Sequence, residues 1–344
     1  MSFARIRGHA RALETLRRTL ASGRLPHALL LSGPDGVGKR RVALELAKAL
    51  NCEGELGRSE ADACDACRSC RLVDRGSHPD VLVAAPEGRF LKIAQVRDAE
   101  RHVTLSPFAG RRKVAILDGA EAMTQEAANA FLKTLEEPPG AAVIVLVSAD
   151  PTRLLPTVRS RCQEVRFGLL AEEVVAALLV EGGMEGAEAA RAAALGQGSV
   201  AQARVWAERF RVEEQDALLA GTWASLASAG RALAWARQLT DRYRDRRELV
   251  PWLLLLLGHW ARDLARAASS ADEGGARAAV APRERPTDRA GVPGGNNLPL
   301  RTALAWYDAV AAAQAALEYN VNLQLALEAM LLRMRAALRG QSSR

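Results

Sequence analysis

Short apolar runs alternate with helix-like stretches over residues 1–170. Five runs are five to eight residues long, rich in branched side chains and bounded by turn residues: His27–Gly33, Asp80–Ala85, Lys113–Asp118, Ala141–Ser148 and Gln163–Phe167. This pattern is typical of buried β-strands. Between the first two runs, the apolar residues of Lys39–Leu50 recur at helical spacing. The alternation predicts a parallel β-sheet covered by helices on both faces, which is an α/β fold.

The pattern changes after about residue 170, where strand-like runs stop. Residues 171–211 predict a small helical domain, and residues 212–344 are predicted to be helical to the end. One segment, at about 269–299, is rich in Gly, Pro and charged residues and predicts a mobile loop between two helices. Earlier in the chain, Thr124 is predicted to cap a helix that Pro138 and Pro139 end.

The composition is that of an ordinary globular protein, with 49% apolar and 25% charged residues. No apolar run reaches the roughly 18 residues that a membrane span needs, and the N-terminus lacks the apolar core of a signal peptide. The sequence therefore predicts a cytoplasmic protein with no membrane partner.

The formal net charge of +7 is a weak sign of nucleic-acid binding. Of the 47 basic residues, 42 are Arg, and they are spread along the chain between acidic residues. A basic patch that binds nucleic acid and an ordinary solvated surface both stay open on this evidence.

A phosphate-binding frame follows the first predicted strand. Gly33, four residues, Gly38 and Lys39 come between that strand and a predicted helix, which is the context this motif requires. Gly33, Gly36 and Gly38 allow backbone N–H groups to turn toward phosphate oxygens, and Lys39 would reach the β- and γ-phosphates. A plain strand-to-helix turn is the alternative.

Two parts of an ATP-hydrolysing site are missing from this frame. Arg40 stands where a Ser or Thr would ligate Mg²⁺, and it cannot ligate a cation. Asp118 ends a later strand in the metal-side position, but Gly119 stands where a water-activating Glu is expected, and Glu121 is predicted to point elsewhere. We therefore expect no hydrolysis here, while nucleotide binding stays open.

Four of the five cysteines lie within 19 residues: Cys52, Cys64, Cys67 and Cys70. Their spacing lets four thiolates converge on one tetrahedral ion, and in a reducing compartment this predicts structural Zn²⁺, with an iron–sulfur cluster as the chemical rival. His78 is interpreted as a turn residue before a proline, although it could be a ligand. The fifth cysteine, Cys162, is expected to be a small buried side chain.

Several motifs occur in one order: "GRLPHALLLSGPDGVGKR", the cysteine insert, "SHPD", "KVAILDGAEAM", "AANAFLKTLEEPP", "DPTRLLPTVRSRC" and "GSVAQA". Together they resemble the clamp-loader branch of the AAA+ ATPases over most of the first 210 residues. Near the C-terminus, "LEYNVNLQLALEAMLLRM" resembles the last collar helices of the same family.

The resemblance implies a RecA-like AAA+ domain (1–170) with a zinc insert (52–70), a helical lid (171–211) and an all-α collar (212–344) that forms a ring. In this family, a hetero-pentamer of motor and other subunits opens a sliding clamp and seats it on primed DNA. Two kinds of member compete: an ATP-hydrolysing motor and a non-hydrolysing subunit. Arg40, Gly119 and Ala201, which stands at the family's sensor-2 arginine position, favour the second kind.

The same resemblance assigns a role to Arg161 in the "SRC" motif. There the family carries an arginine finger that acts on ATP held by the neighbouring motor subunit. An ordinary surface arginine at a strand edge is the alternative. A stand-alone zinc-dependent nucleic-acid-binding protein is a third hypothesis, disfavoured because acidic residues, and no aromatic ones, lie between the cysteines.

Overall fold

The computed structural model describes residues 2–54, 62–137, 140, 142–209, 212–272, 298–318 and 321–340. They fall into two compact units. The first comprises Met1–Gly186 and Gly196–Ala203, and the second comprises Ala187–Leu195 and Arg204–Arg344. The division into three domains stays a prediction. Residues 273–297 of the expected mobile loop, and the proline pair at 138–139, lie outside the described residues.

A five-stranded parallel sheet forms the centre of the first unit. Its strands are β1 (Ala28–Ser32), β2 (Val81–Ala84), β3 (Val114–Asp118), β4 (Val143–Ser148) and β5 (Gln163–Arg166). Their order across the sheet is β2-β3-β4-β1-β5, and every pairing is parallel. The predicted α/β fold with a parallel sheet is confirmed. Because parallel strands end at one edge, the carboxyl ends of β1, β3 and β4 lie side by side.

Between residues 10 and 209, the described chain contains nine α-helices: α1 (Ala10–Ala21), α2 (Lys39–Asn51), α3 (Arg68–Asp74), α4 (Ile93–Thr104), α5 (Gln125–Glu136), α6 (Pro156–Arg159), α7 (Glu172–Glu181), α8 (Gly186–Leu195) and α9 (Val200–Arg209). The predicted cap is present, since the Thr124 hydroxyl accepts a hydrogen bond from the Ala127 N–H at the start of α5.

The alternation of side chains along the strands gives the sheet two cores. Leu29 and Leu31 of β1 join one cluster with residues of α1 and α2, whereas Ala28 and Leu30 join another with residues of α4 and α5. Each fully buried Leu or Val contributes about 1.5–3 kcal/mol. Because helices cover both faces of the sheet, side chains on both faces of its inner strands are buried. These strands are therefore continuous apolar runs without alternating polar residues.

The second unit contains the C-terminal helices α10 (Val212–Ser225), α11 (Ala229–Arg242), α12 (Val250–Asp272), α13 (Leu300–Glu318) and α14 (Leu323–Arg339). Its core is built around tryptophans: Trp306 is buried, packs edge-on against Trp223 and donates a hydrogen bond to the Met334 carbonyl. The predicted helical character of this half is confirmed for the described residues. Among those residues, no helix combines the length and apolarity that crossing a bilayer requires.

Candidate functional site

The phosphate loop connects β1 to α2, and its three glycines adopt positive φ angles: 141° at Gly33, 71° at Gly36 and 103° at Gly38. A Cβ on Gly33 would lie 2.1 Å from the Phe167 carbonyl oxygen, and a Cβ on Gly36 would lie 2.2 Å from the Ser199 hydroxyl. Other residues would therefore strain the backbone and clash. The loop has the glycine-dependent shape that the sequence predicted, at the positive end of the 13-residue helix α2.

Lys39 lies inside this loop. Its ammonium donates hydrogen bonds to the Gly33 and Pro34 carbonyls at 2.7 and 2.6 Å, and the residue is only 4% exposed. Burial lowers the pKa of Lys39, although the nearby carboxylates of Asp35, Glu121 and Asp118 act in the opposite direction. An ammonium held by two carbonyls keeps one donor for an incoming phosphate oxygen.

Arg40 occupies the metal side of the site. A guanidinium nitrogen of Arg40 lies 3.5 Å from a carboxylate oxygen of Asp118 at the end of β3. Burial raises the pKa of Asp118, and the charges of Arg40 and Lys39 oppose that shift. A guanidinium has only donors and carries its own positive charge, so this pair does not fit Mg²⁺. The geometry brings together the predicted loop and Asp118, but with a cationic side chain where a metal ligand is needed.

Glu121 does not replace the missing catalytic glutamate. One of its oxygens accepts a hydrogen bond from the Ala149 N–H at 3.1 Å, which turns the carboxylate toward the end of β4. The other oxygen is buried without a hydrogen-bond partner in the described chain, as is the hydroxyl of Ser148, the last residue of β4. Sequence reasoning missed Ser148; the signal available was a polar residue at the carboxyl end of a buried strand.

Ala201 reaches the phosphate loop through its backbone. The N–H groups of Val200 and Ala201 donate to the Gly36 carbonyl at 3.0 and 3.4 Å. The start of α9 therefore lies against the loop. Ala201 has no charged group to offer, and none is supplied by its neighbour Val200.

The four cysteines form a compact cluster. All four Sγ atoms lie within 4.8 Å of one another, with Cys52 and Cys70 buried and Cys64 and Cys67 half-buried. A tetrahedral zinc ion with bonds of about 2.3 Å needs sulfurs about 3.8 Å apart, so the spacing fits a metal ion. Backbone N–H groups of Cys64, Cys67 and Cys70 donate to the preceding Sγ at 3.3–3.4 Å, an arrangement that favours thiolates.

The pKa values of the thiols in this cluster shift in different directions. Burial would raise the pKa of Cys64, but N–H donors from Ala66 and Cys67 outweigh it and lower the pKa to about 7. Burial raises the pKa of Cys52 and of Cys70. Ionising these two buried thiols is costly, and a bound cation would offset that cost.

Two features hold the cluster in shape. A Cβ on Gly54 would lie 2.9 Å from the Cys64 sulfur, so only glycine leaves room for this approach. The ammonium of Lys48, fully buried in α2, pairs with Glu45, Asp65 and Asp74 at 2.9, 2.5 and 3.1 Å. Lys48 thereby ties the cysteine insert to the helix that begins at the phosphate loop.

His78 is engaged outside the cluster. Its Nδ1 accepts a hydrogen bond from the Asp80 N–H at 3.0 Å, so Nε2 carries the proton and donates to the Ser69 hydroxyl at 3.0 Å. Neither nitrogen is left for a metal, in agreement with its interpretation as a turn residue.

Arg161 lies between α6 and β5, and its side chain is 34% exposed. One guanidinium nitrogen donates to the Thr157 carbonyl at 3.0 Å, and the other forms an ion pair with Glu136 at the end of α5. The Ser160 hydroxyl donates to the same Thr157 carbonyl at 3.1 Å. Burial raises the pKa of the Cys162 thiol to about 12, so this residue packs as a neutral side chain.

Comparison with known proteins finds similarity over part of this chain. A model described as DNA polymerase III, delta subunit, matches residues 8–171. The DNA polymerase III subunit delta' (delta-prime) of Pseudomonas aeruginosa is 46% identical over 138 residues, which cover 40% of this chain and 41% of that protein. The delta' subunit of Bacillus subtilis is 36% identical over 172 residues, covering 50% of this chain and 51% of that protein.

Subunits with a different name also match. The DNA polymerase III subunit tau of Salmonella typhimurium is 38% identical over 173 residues, covering 50% of this chain and 26% of that protein. The matched segment thus spans between a quarter and about half of the length of these relatives. The family model's range, residues 8–171, includes the loop, the cysteines and Arg161.

Proposed function

We propose that the chain is a non-hydrolysing ring subunit of the clamp-loader family of DNA polymerase III subunits, because part of it is similar to delta-prime subunits. In this proposal it assembles with gamma/tau-type motor subunits and a delta subunit into a hetero-pentamer in the cytoplasm. The ring loads a sliding clamp onto primed DNA. The division into an AAA+ domain, a lid and a collar with bounds near 170 and 211 is part of the same proposal.

The ion pair between Arg40 and Asp118 is the observation that carries the non-hydrolysing role. Hydrolysis in phosphate-loop enzymes uses a metal ion to offset charge on the transferred phosphoryl group and a polar residue to orient water. Here a guanidinium fills the metal side, Gly119 offers no side chain, and Ala201 adds no cation. Each departure removes a different part of the machinery, so together they argue against turnover.

Arg161 is proposed as the residue through which this chain takes part in ATP hydrolysis by a neighbouring subunit. A guanidinium on the charge of a phosphoryl-transfer transition state is worth about 10³ to 10⁵ in rate. Arg161 is partly exposed and held at its own surface by Thr157 and Glu136, so it is available to a neighbouring subunit. It would thus act on a nucleotide bound elsewhere in the ring.

Two cofactors belong to the proposal. The cysteine cluster would hold one structural Zn²⁺ through Cys52, Cys64, Cys67 and Cys70, and it has no open position for chemistry. The phosphate loop would hold ATP without hydrolysing it, through its glycine amides and Lys39. Native mass spectrometry of the purified chain tests the first point: one zinc ion is expected per molecule, and none, with four titratable thiols, would defeat it.

The decisive experiment is single-turnover ATP hydrolysis by the reconstituted ring with clamp and primed DNA. The isolated chain should show no turnover. Replacing Arg161 by Ala should slow one site of the ring by about 10³, so that the fast phase loses the amplitude of one ATP per ring. Arg166→Ala is the matched control, because the Arg166 side chain is 83% exposed and forms an ion pair only with Glu164 within the described residues. A normal fast phase with Arg161→Ala would refute the proposal.

The match to tau supports a second candidate, an ATP-hydrolysing motor subunit. Lys39 and the loop glycines are consistent with it. Hydrolysis by the isolated chain that is lost in Lys39→Ala would establish this function and overturn the first.

A further inference from the structure

Glu136 is the one carboxylate that an ion pair joins to Arg161 in the described chain. It is the last residue of α5, and Arg161 lies in the turn that follows α6. We propose that Glu136 is a positioning residue for Arg161, and that it holds the guanidinium in the orientation in which it meets the neighbouring subunit's nucleotide. This inference rests on the proposed function and names a residue that the function needs.

The donor pattern of Arg161 supports a holding role. A guanidinium has five N–H donors in a rigid fork. One terminal nitrogen of Arg161 donates a hydrogen bond to the Thr157 carbonyl, and the other terminal nitrogen donates one to the Glu136 carboxylate. Three donors stay available for phosphate oxygens, including one on each terminal nitrogen. Glu136 can therefore remain bound to Arg161 while the arginine binds a nucleotide.

The attachment points of the two side chains are fixed by local structure. The turn before β5 is closed by backbone hydrogen bonds from Arg161 to Val158 and from Cys162 to Arg159, both at 3.2 Å. Val158 is fully buried, and Cys162 packs against the same core as α5. The backbone is thus held firmly, and the freedom that remains is in the long side chain of Arg161.

Restricting that freedom is what makes an arginine finger effective. A long arginine side chain loses much rotamer entropy when it is fixed in one geometry, and a side chain that is already oriented loses less on reaching the transition state. The carboxylate of Glu136 is half-exposed, so its charge is screened by solvent and leaves the guanidinium available as a cation. Glu136 therefore acts mainly through orientation, and its removal should slow the chemical step without weakening ATP binding.

Variants at Glu136 and Arg161, assayed by ATP hydrolysis in the complete ring, test the inference. Glu136→Ala should lower the rate of the site that Arg161 serves by about tenfold and leave the KM for ATP within about twofold. Glu136→Gln keeps the hydrogen-bond acceptor and loses the charge, so it should retain most of the rate. In the Arg161→Ala background, Glu136→Ala should have no further effect, because it acts through the arginine.

Glu137→Ala is the matched control, since Glu137 is the next residue, is exposed and has no ion pair with Arg161. The inference is overturned if Glu136→Ala behaves like Glu137→Ala, raises the rate, changes mainly the KM, or slows the Arg161→Ala ring further. These outcomes differ from failure of the proposed function, in which Arg161→Ala itself leaves the ring unaffected. Thermal melting of each variant chain distinguishes a folding defect from a slower chemical step. Glu136→Gln should show no folding defect.

Discussion

Asp80 offers the sharpest test of how this fold is held together. The side chain is completely buried, and it accepts hydrogen bonds from the N–H groups of Phe108, Ala109 and Gly110 at 2.6–2.7 Å. The ammonium of Lys113 lies 2.9 Å away and is itself buried. Burial alone would raise the pKa of Asp80, but these four partners outweigh it and hold the pKa well below its usual range.

Asp80→Asn keeps the shape of the side chain and removes its charge. An amide group must then face at least one of the backbone N–H donors, and Lys113 loses its counter-ion. A buried donor without an acceptor costs about 1–3 kcal/mol, and a broken buried ion pair costs about 3–5 kcal/mol. We expect the free energy of unfolding of the first unit to fall by about 3–5 kcal/mol.

Hydrogen exchange of the β3 amides measures this loss, because β3 is an interior strand of the sheet, paired with β2 and β4. All six tryptophans lie between residues 206 and 306, so their fluorescence reports the second unit and serves as an internal reference. The β3 amides should exchange about 10² to 4 × 10³ times faster, at 1.4 kcal/mol per factor of ten. Asp98→Asn, on an exposed ion pair of α4, should change the stability by no more than about 0.5 kcal/mol.

The depressed pKa of Asp80 also predicts how its contribution to stability changes with pH. A carboxyl group with a depressed pKa in the folded state stabilises the protein above its unfolded pKa of about 3.9 and loses that effect as the pH falls. The difference between wild type and Asp80→Asn should be constant from pH 7 to pH 5 and shrink below about pH 4. Equal stabilities of Asp80→Asn and Asp98→Asn at pH 7, or a difference that grows in acid, would refute this account.

Three further predictions follow from the candidate site. Lys48→Met should destabilise the first unit by about 3–5 kcal/mol, because it removes the buried cation that pairs with Glu45, Asp65 and Asp74 and leaves the buried Glu45 carboxylate only the half-exposed Arg41; urea unfolding followed by far-UV circular dichroism measures this. Gly54→Ala should weaken zinc retention against a chelator at least tenfold, because the new methyl group meets the Cys64 sulfur. Arg40 should make ATP binding independent of Mg²⁺, so calorimetry in Mg²⁺ and in EDTA should give affinities within about twofold, whereas Arg40→Ser should bind more tightly with Mg²⁺.

Each of these three predictions would be contradicted by a specific result. Unchanged unfolding of the Lys48 variant would mean that the buried charges are not coupled to folding. Chelator resistance in the Gly54 variant would mean that the cysteines can spread to admit a methyl group. Mg²⁺-dependent binding by the wild type, or no ATP binding under either condition, would contradict the role given to Arg40.

Local sequence patterns determined the elements of this protein. The five strands were predictable because residues buried on both faces of a parallel sheet are apolar without interruption, and the phosphate loop because three glycines are needed for one backbone shape. The cysteine cluster was predictable because two-residue gaps place thiolates on one side of a turn. Thr124 was recognisable as a cap for the same local reason.

Tertiary structure alone decided which side chains meet. Arg40 and Asp118 are 78 positions apart in the sequence, and only the order of the strands brings them together at one edge of the sheet. Glu136 and Arg161 form a pair because α5 and the turn after α6 are neighbours in space, a relation that no spacing rule encodes. The use of both His78 nitrogens by Ser69 and Asp80 was equally hidden. Periodicity reports the environment of a residue, whereas a hydrogen bond or ion pair depends on distances that the whole chain sets as it packs.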